Sequence, residues 1–166
     1  NDQASGGSSA GSITFNGAVT LTGSSTMTGN TQFVGTLTGG SNALTVTGNL
    51  DLDGAASNLT STSVSGTSNL GASVTTTNTQ TYTGAVILST DTTLTSTDSD
   101  VSFGSTIDSD SIDRNLSLVT GSGNISVTGA VGSSNNLDVL TVNNTGTFTT
   151  SSSVAATTMT LTHTGG

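Results

Sequence analysis

The sequence predicts an all-β protein, wound as a right-handed parallel β-solenoid, and three observations carry that prediction. Apolar residues alternate with polar ones in short stretches, which is the period of a strand with one buried face. Thr and Val are frequent, and their β-branched side chains suit a pleated strand. One short phrase also returns along the chain, which indicates stacked repeats. The alternating stretches include AVTLTG (18–23), LTVTG (44–48), NLDLDG (49–54), NISVTG (124–129) and MTLTHTG (159–165).

The chain divides into two segments. Residues 1–12 are rich in Gly and Ser, and we expect them to form a flexible lead-in. We expect residues 13–166 to form a single β-solenoid of about seven coils, as part of a longer shaft or filament. Helices are not expected, because Glu, Lys and Pro are absent and Gly is spread throughout. Gly and Asn recur between the alternating stretches and mark the corners.

The recurring phrase gives the expected coil length. Its copies are ITFNGAV (13–19), TQTYTGAV (79–86) and ISVTGAV (125–131). Their glycines, Gly17, Gly84 and Gly129, lie 67 and 45 residues apart, close to three and two multiples of about 22 residues. We therefore expect these glycines along one edge of the rod. Tyr82 would then belong to a ladder of core side chains. A β-sandwich is the alternative fold, but it gives no reason for a phrase to recur in register.

Composition excludes several functions. The net charge is −9, with ten Asp and a single basic residue, Arg114. This balance argues against binding nucleic acid and against docking on an anionic membrane, since both need Lys or Arg. No apolar run approaches the roughly 20 residues of a membrane span, so membrane insertion is not expected. There is no Cys, so disulfides and thiolate metal sites are absent.

Acidic residues supply the candidates for chemistry. Asp98, Asp100, Asp108 and Asp110 lie in two DSD clusters, and Ca²⁺ favours such carboxylate oxygens. Neither cluster has the Gly that an EF-hand loop requires, so the alternative is a solvated acidic corner. Asp98, Asp100 and Asp108 are also the densest group available to a polysaccharide-cleaving groove. We expect no enzyme and no cofactor, because sugar-holding aromatic and basic groups are scarce. His163, the sole His, is expected to be an isolated surface residue.

Thr-x-Thr motifs offer a binding surface instead. Two hydroxyls and two methyls on one face of a strand could order water, so a regular stack could bind ice or a glycan. Ice binding needs near-constant spacing, and the motifs are unevenly spaced along the sequence. The alternative is that they form an ordinary polar exterior. The motifs include TLT (20–22), TMT (26–28), TLT (36–38), TVT (45–47), TYT (81–83), TLT (93–95) and TMTLT (158–162).

Part of the chain resembles a known family. The stretch VTTTNTQTYTGAVILSTDTTLTSTDSDVSFGSTIDSD, followed by LSLVTGSGNISVTGAVGSSNNLDVLTV, is similar to the repeat region of filamentous-haemagglutinin-like adhesins and related β-strand-repeat surface proteins of bacteria. The similarity covers about residues 34–148. It implies a right-handed β-helical shaft, exported to the bacterial cell surface. The expected function is a structural segment of an extracellular adhesin or self-assembling filament. The expected partners are like subunits or neighbouring repeats stacked end to end, and a host or cell-surface glycan or protein.

Overall fold

A computed structural model describes residues 11–163, which form a parallel β-solenoid without any helix. Every strand pairing in this range is parallel, and about eight coils stack on one another. Each complete coil contributes three strand segments, and these define three faces of the rod. The predicted β-solenoid is therefore confirmed, and the β-sandwich is excluded because its sheets are antiparallel. The predicted lead-in falls almost wholly on residues 1–10, which lie outside the described residues.

The first face is a sheet of six short strands. Isolated bridges from Ile107 to Val131 and from Val131 to Val154 carry it through the last two coils. Its strands, in stacking order, are β1 (Ser12–Phe15), β4 (Asn30–Phe33), β6 (Leu50–Leu52), β8 (Ser68–Leu70), β11 (Val86–Leu88) and β14 (Ile107–Ser109).

The second and third faces share two long strands, β5 (Leu37–Val46) and β7 (Ala56–Val64), which bend across the corner between them. The other strands of the second face are β2 (Val19–Thr20), β9 (Val74–Thr76), β12 (Thr92–Ser96), β15 (Arg114–Gly121), β17 (Leu137–Asn144) and β19 (Ala156–His163). The other strands of the third face are β3 (Ser25–Met27), β10 (Gln80–Tyr82), β13 (Val101–Phe103), β16 (Ile125–Val127) and β18 (Phe148–Thr150).

Coil length changes along the rod, and a typical coil has about 19 residues. The early coils are short, as the pairing of Ser12 with Asn30 and of Leu50 with Ser68 shows. Later coils are several residues longer, as the bridge from Ile107 to Val131 shows. The prediction of about seven coils with a period of about 22 residues was therefore wrong for the early coils. About eight coils are present because the early ones are shorter than that period.

The core is a set of apolar columns inside the coils. Leu, Val, Ile, Phe and Tyr side chains repeat at matching positions and are almost completely buried. Phe15 stacks on Phe33 with ring centroids 5.0 Å apart, and Tyr82 stacks on Phe103 at 5.4 Å. Each such pair contributes about 0.5–1.5 kcal/mol beyond its buried area. The placement of Tyr82 in a core ladder is confirmed.

The expected single edge of phrase glycines is only partly correct. Gly84 and Gly129 both follow third-face strands and lie in the corner before the first face. Gly17 follows β1 of the first face and lies in a different corner, where Gly35 packs on it. Phe15 therefore stacks with Phe33 and not in the column of Tyr82. The phrase at 13–19 resembles the others because every corner follows an alternating strand.

Candidate functional site

Asp98 and Asp100 lie at the corner between the second and third faces, where they bind the next coil. Asp98 Oδ1 accepts a hydrogen bond from the Ser122 amide at 2.9 Å, and Asp100 Oδ1 accepts one from the Asn124 amide at 2.7 Å. Both donors belong to the coil stacked above. These carboxylates therefore have a structural role, because they satisfy backbone N–H groups that the bend leaves without a ladder partner.

Asp108 and Asp110 lie elsewhere. Asp108 projects from β14 on the first face and accepts a hydrogen bond from the Ser134 amide at 2.8 Å. Asp110 holds the Arg114 guanidinium through two hydrogen bonds, at 3.0 and 2.8 Å. This bidentate pair is the main reason why the pKa of Asp110 is lowered.

The four candidate calcium ligands are thus spread over different parts of the rod. In residues 11–163, no group of three His, Cys, Asp or Glu side chains could hold a metal ion. Asp98, Asp100 and Asp108 do not line one groove either, since the first two lie at a corner and the third on the first face. His163 extends the column that contains Asn144 and is exposed in β19.

Carboxylates and amides at the corners follow a common rule that was not predicted from the sequence. A side-chain oxygen on one coil accepts the backbone N–H of the coil above, as in Asn49 to Thr67 at 2.9 Å and Asp91 to Asn115 at 3.0 Å. These bonds to Asn115 are the main reason why the pKa of Asp91 is lowered. In the sequence, this rule is visible only as Asn or Asp residues that recur at the coil spacing near the ends of strands.

The third face carries the most regular exterior of the rod. One outward column runs through seven coils in unbroken register and contains only hydroxyl side chains. Its members are Thr26, Thr45, Ser63, Thr81, Ser102, Ser126 and Thr149.

A second column lies beside it, two residues further along each strand. Backbone hydrogen bonds such as Thr47 N to Met27 O and Thr83 N to Val64 O, at 3.0 and 2.9 Å, extend the ladder to this position. Its members are Thr28, Thr47, Ser65, Thr83, Gly104, Thr128 and Ser151. We call these two columns the hydroxyl face.

Three of the Thr-x-Thr motifs lie in register within the hydroxyl face. The motif at 26–28 stacks directly on 45–47, and the coil with Ser63 lies between 45–47 and 81–83. The motifs at 93–95 and 160–162 lie on the second face instead. The three motifs of the hydroxyl face are in register in the structure although their spacing along the sequence is uneven. Insertions in the later coils fall largely at the corner before the second face, as at 110–113, and leave the third face undisturbed.

The hydroxyl face is available to solvent and rigidly backed. Among its side-chain hydroxyls, one intramolecular hydrogen bond is present within residues 11–163, from Thr47 to the Met27 carbonyl at 3.4 Å. Behind the face, the fully buried Tyr82 donates a hydrogen bond to Gln80 at 2.9 Å. The Gln80 amide in turn donates to the Thr95 carbonyl at 2.8 Å. This buried network fixes the backbone that carries the outward hydroxyls.

Comparison with protein-family models, with curated proteins and with solved structures finds no match to this chain. Between residues 11 and 163, none of the secondary structure is a helix able to cross a membrane. The function must therefore be inferred from the solenoid and its surfaces.

Proposed function

We propose that this chain is a structural segment of an extracellular bacterial surface adhesin or self-assembling filament. The observation that carries the proposal is the unbroken stacking of about eight coils, each of which lends backbone groups and core side chains to the next. Such a rod keeps its ends a fixed distance apart, about 35 Å at a coil spacing of about 4.8 Å. A polar surface with a single cation suits exposure to proteases that cut at Lys or Arg.

The proposal for location is tested by labelling cells. Antibodies raised against the purified chain would be applied to intact and permeabilised cells of the organism that produces it. We expect equal labelling of both, because a surface shaft is accessible without permeabilisation. Labelling that appears only after permeabilisation would contradict the extracellular role.

The same proposal includes stacking with like coils. In β19, Met159 and Leu161 occupy the inward positions that Leu140 and Val142 fill in the coil below. Leu140 and Val142 are 1% exposed, whereas Met159 and Leu161 are 42% and 58% exposed. A further coil laid on this edge would bury them, at about 25 cal/mol for each Å² of apolar area removed from water. The coil would come from a neighbouring repeat or from a second copy.

Sedimentation of the purified chain over a wide concentration range tests stacking between copies. We expect assemblies that grow with concentration, and we expect Leu161→Asp to reduce them, because the charge would be buried at the contact. Thr160→Asp, which changes the neighbouring outward position, is the matched control. A wild-type chain that stays monomeric throughout would remove self-stacking from the proposal.

A second candidate function is supported by the hydroxyl face. Its two columns present a hydroxyl at every position except Gly104 and a methyl at each Thr, with positions about 4.8 Å apart between coils and about 6.6 Å apart along the strand. We propose that this grid can order water and bind an ice surface. Ice-growth inhibition would be measured for the wild type and for Thr81→Tyr, with Thr93→Tyr on the second face as control. We expect Thr81→Tyr to abolish inhibition and Thr93→Tyr to leave it unchanged. A wild-type chain that does not inhibit ice growth would contradict this candidate function.

A further inference from the structure

A groove of about 320 Å³ crosses the first face, on a different side of the rod from the hydroxyl face. It follows the rod axis over β4, β6, β8 and β11. Its central column consists of outward side chains in register, namely Gln32, Asp51, Asn69 and Ile87. This volume lies at the lower end of the range for small-molecule sites, which is about 300–1,000 Å³.

One side of the groove is lined by oriented donors. Asn30 Oδ1 accepts a hydrogen bond from the backbone N–H of Asn49 at 3.1 Å, and Asn49 Oδ1 accepts one from the backbone N–H of Thr67 at 2.9 Å. Because each oxygen is held by the coil above, the attached Nδ2 group has a fixed orientation. Two amide donors therefore stand one coil apart along the groove.

The centre of the groove supplies acceptors. Asn69 Nδ2 donates to Asp51 Oδ1 at 2.9 Å, which leaves Asp51 Oδ2 and Asn69 Oδ1 without a partner in residues 11–163. Gln32 Nε2 donates to Asp53 Oδ2 at 3.0 Å, and Gln32 Oε1 also has no hydrogen-bond partner in residues 11–163. Ile87, which is 44% exposed, adds an apolar contact at one end.

We propose that this groove binds a neutral, linear glycan that lies along the rod axis. Donors along one side of the groove and acceptors along its centre match sugar hydroxyls, each of which can both donate and accept. The groove is lined by a carboxylate and by no cation among the described residues, and the chain as a whole carries a charge of −9. An acidic polysaccharide is therefore disfavoured by charge repulsion. The inference is independent of the shaft and ice-binding proposals.

The test is a titration of the ¹⁵N-labelled chain, followed by NMR of the backbone and side-chain amides. The probes are cellohexaose, maltohexaose and chitohexaose, with trigalacturonic acid as the anionic counterpart. We expect the Asn49 and Asn69 side-chain signals to shift with a neutral probe and to stay unchanged with the acidic one. The combined variant Asp51→Ala and Asn69→Ala should weaken that binding by about tenfold or more.

Ser102→Ala on the hydroxyl face serves as the matched control and should bind like the wild type. Both substituted groove residues point outward, so circular dichroism should show an intact fold. The proposal is overturned if no neutral probe shifts the groove signals. It is equally overturned if the double variant binds as tightly as the wild type, or if the shifts map to the hydroxyl face.

Discussion

Gly84 and Gly17 occupy the same place in two copies of one phrase, yet their surroundings differ. A Cβ atom on Gly84 would lie 2.3 Å from the Gly66 carbonyl oxygen, well inside van der Waals contact. A Cβ atom on Gly17 would meet nothing within 4 Å among residues 11–163. The corner before the first face therefore demands Gly at position 84, because one coil's backbone packs directly on the next.

The two glycines give a matched pair of substitutions. We expect Gly84→Ala to lower the free energy of unfolding by about 2–3 kcal/mol, because the backbone of two coils must separate. We expect Gly17→Ala to change it by less than about 0.5 kcal/mol. Urea denaturation measures both values. Equal effects of the two substitutions would contradict the packing of this corner.

Thr62 is a polar residue in the apolar interior. It lies in the third-face inward column between Leu44 and Gln80, is 2% exposed, and its hydroxyl has no hydrogen-bond partner in residues 11–163. An unsatisfied buried hydroxyl costs about 1–3 kcal/mol. Thr62→Val keeps the shape and removes that cost, so we expect the free energy of unfolding to rise by about 1 kcal/mol.

The neighbouring Ser63 provides the control, since it points outward on the same strand. Ser63→Ala should change the free energy of unfolding by less than about 0.5 kcal/mol. Urea denaturation measures both variants. A loss of stability in Thr62→Val would mean that the hydroxyl is satisfied by a group such as a buried water.

At the scale of the element, side-chain oxygens join successive coils at the corners. Asp91 accepts hydrogen bonds from both the backbone and the side chain of Asn115, and these lower the pKa of its carboxyl group. The folded state therefore holds the ionised form more strongly than the unfolded chain does. Its contribution is present above the unfolded pKa, near 3.8, and is lost as the pH falls through the folded value.

We therefore expect the stability of the wild type to fall as the pH decreases below about 4. Asp91→Ala should be less stable near neutral pH and should show a shallower decline in acid. Thermal unfolding measured across this range checks both. The pKa of Asp110 is also lowered, by its pair with Arg114, so Asp110→Ala measures how much of the acid dependence comes from that pair. An Asp91→Ala profile parallel to the wild type would contradict the inter-coil bond.

Strands were easier to predict than their register. The alternation at 44–48 and 124–129 correctly predicted buried faces, because period 2 depends only on local side-chain direction. The faces to which these strands belong could not be predicted, because corners hold different numbers of residues. Phe15 illustrates the difficulty, since its phrase matches that of Tyr82 while its strand belongs to another face.

At the scale of the whole molecule, coil length increases along the rod, which a single average repeat length does not describe. Short coils precede longer ones, so one fixed period could not give the correct count. The hydroxyl face could not be predicted for the same reason, since its members are unevenly spaced in the sequence and include Ser and Gly104 as well as Thr. The groove could not be predicted, because it depends on the side-chain amides of Asn30 and Asn49 being held by backbone N–H groups of the next coil.

Trypsin provides a simple test of the intact rod. The chain has one Lys or Arg in total, and Arg114 begins β15 with its guanidinium bound to Asp110. We expect the native protein to resist trypsin, because cleavage requires local unfolding of a paired strand. After denaturation, a single cut should give fragments 1–114 and 115–166. Rapid cleavage of the native protein would show that this coil opens easily.

Electron paramagnetic resonance distances along the third face test whether the coils stack in parallel register. The chain has no Cys, so pairs of spin-labelled cysteines can be placed freely. Thr45 would be labelled together with Ser63, Thr81, Ser102 or Ser126, which lie one, two, three and four coils away. The parallel β-solenoid predicts a separation that grows by about 4.8 Å with each coil. Separations that fail to increase in this even sequence, or that return to a short value, would contradict the stacked coils.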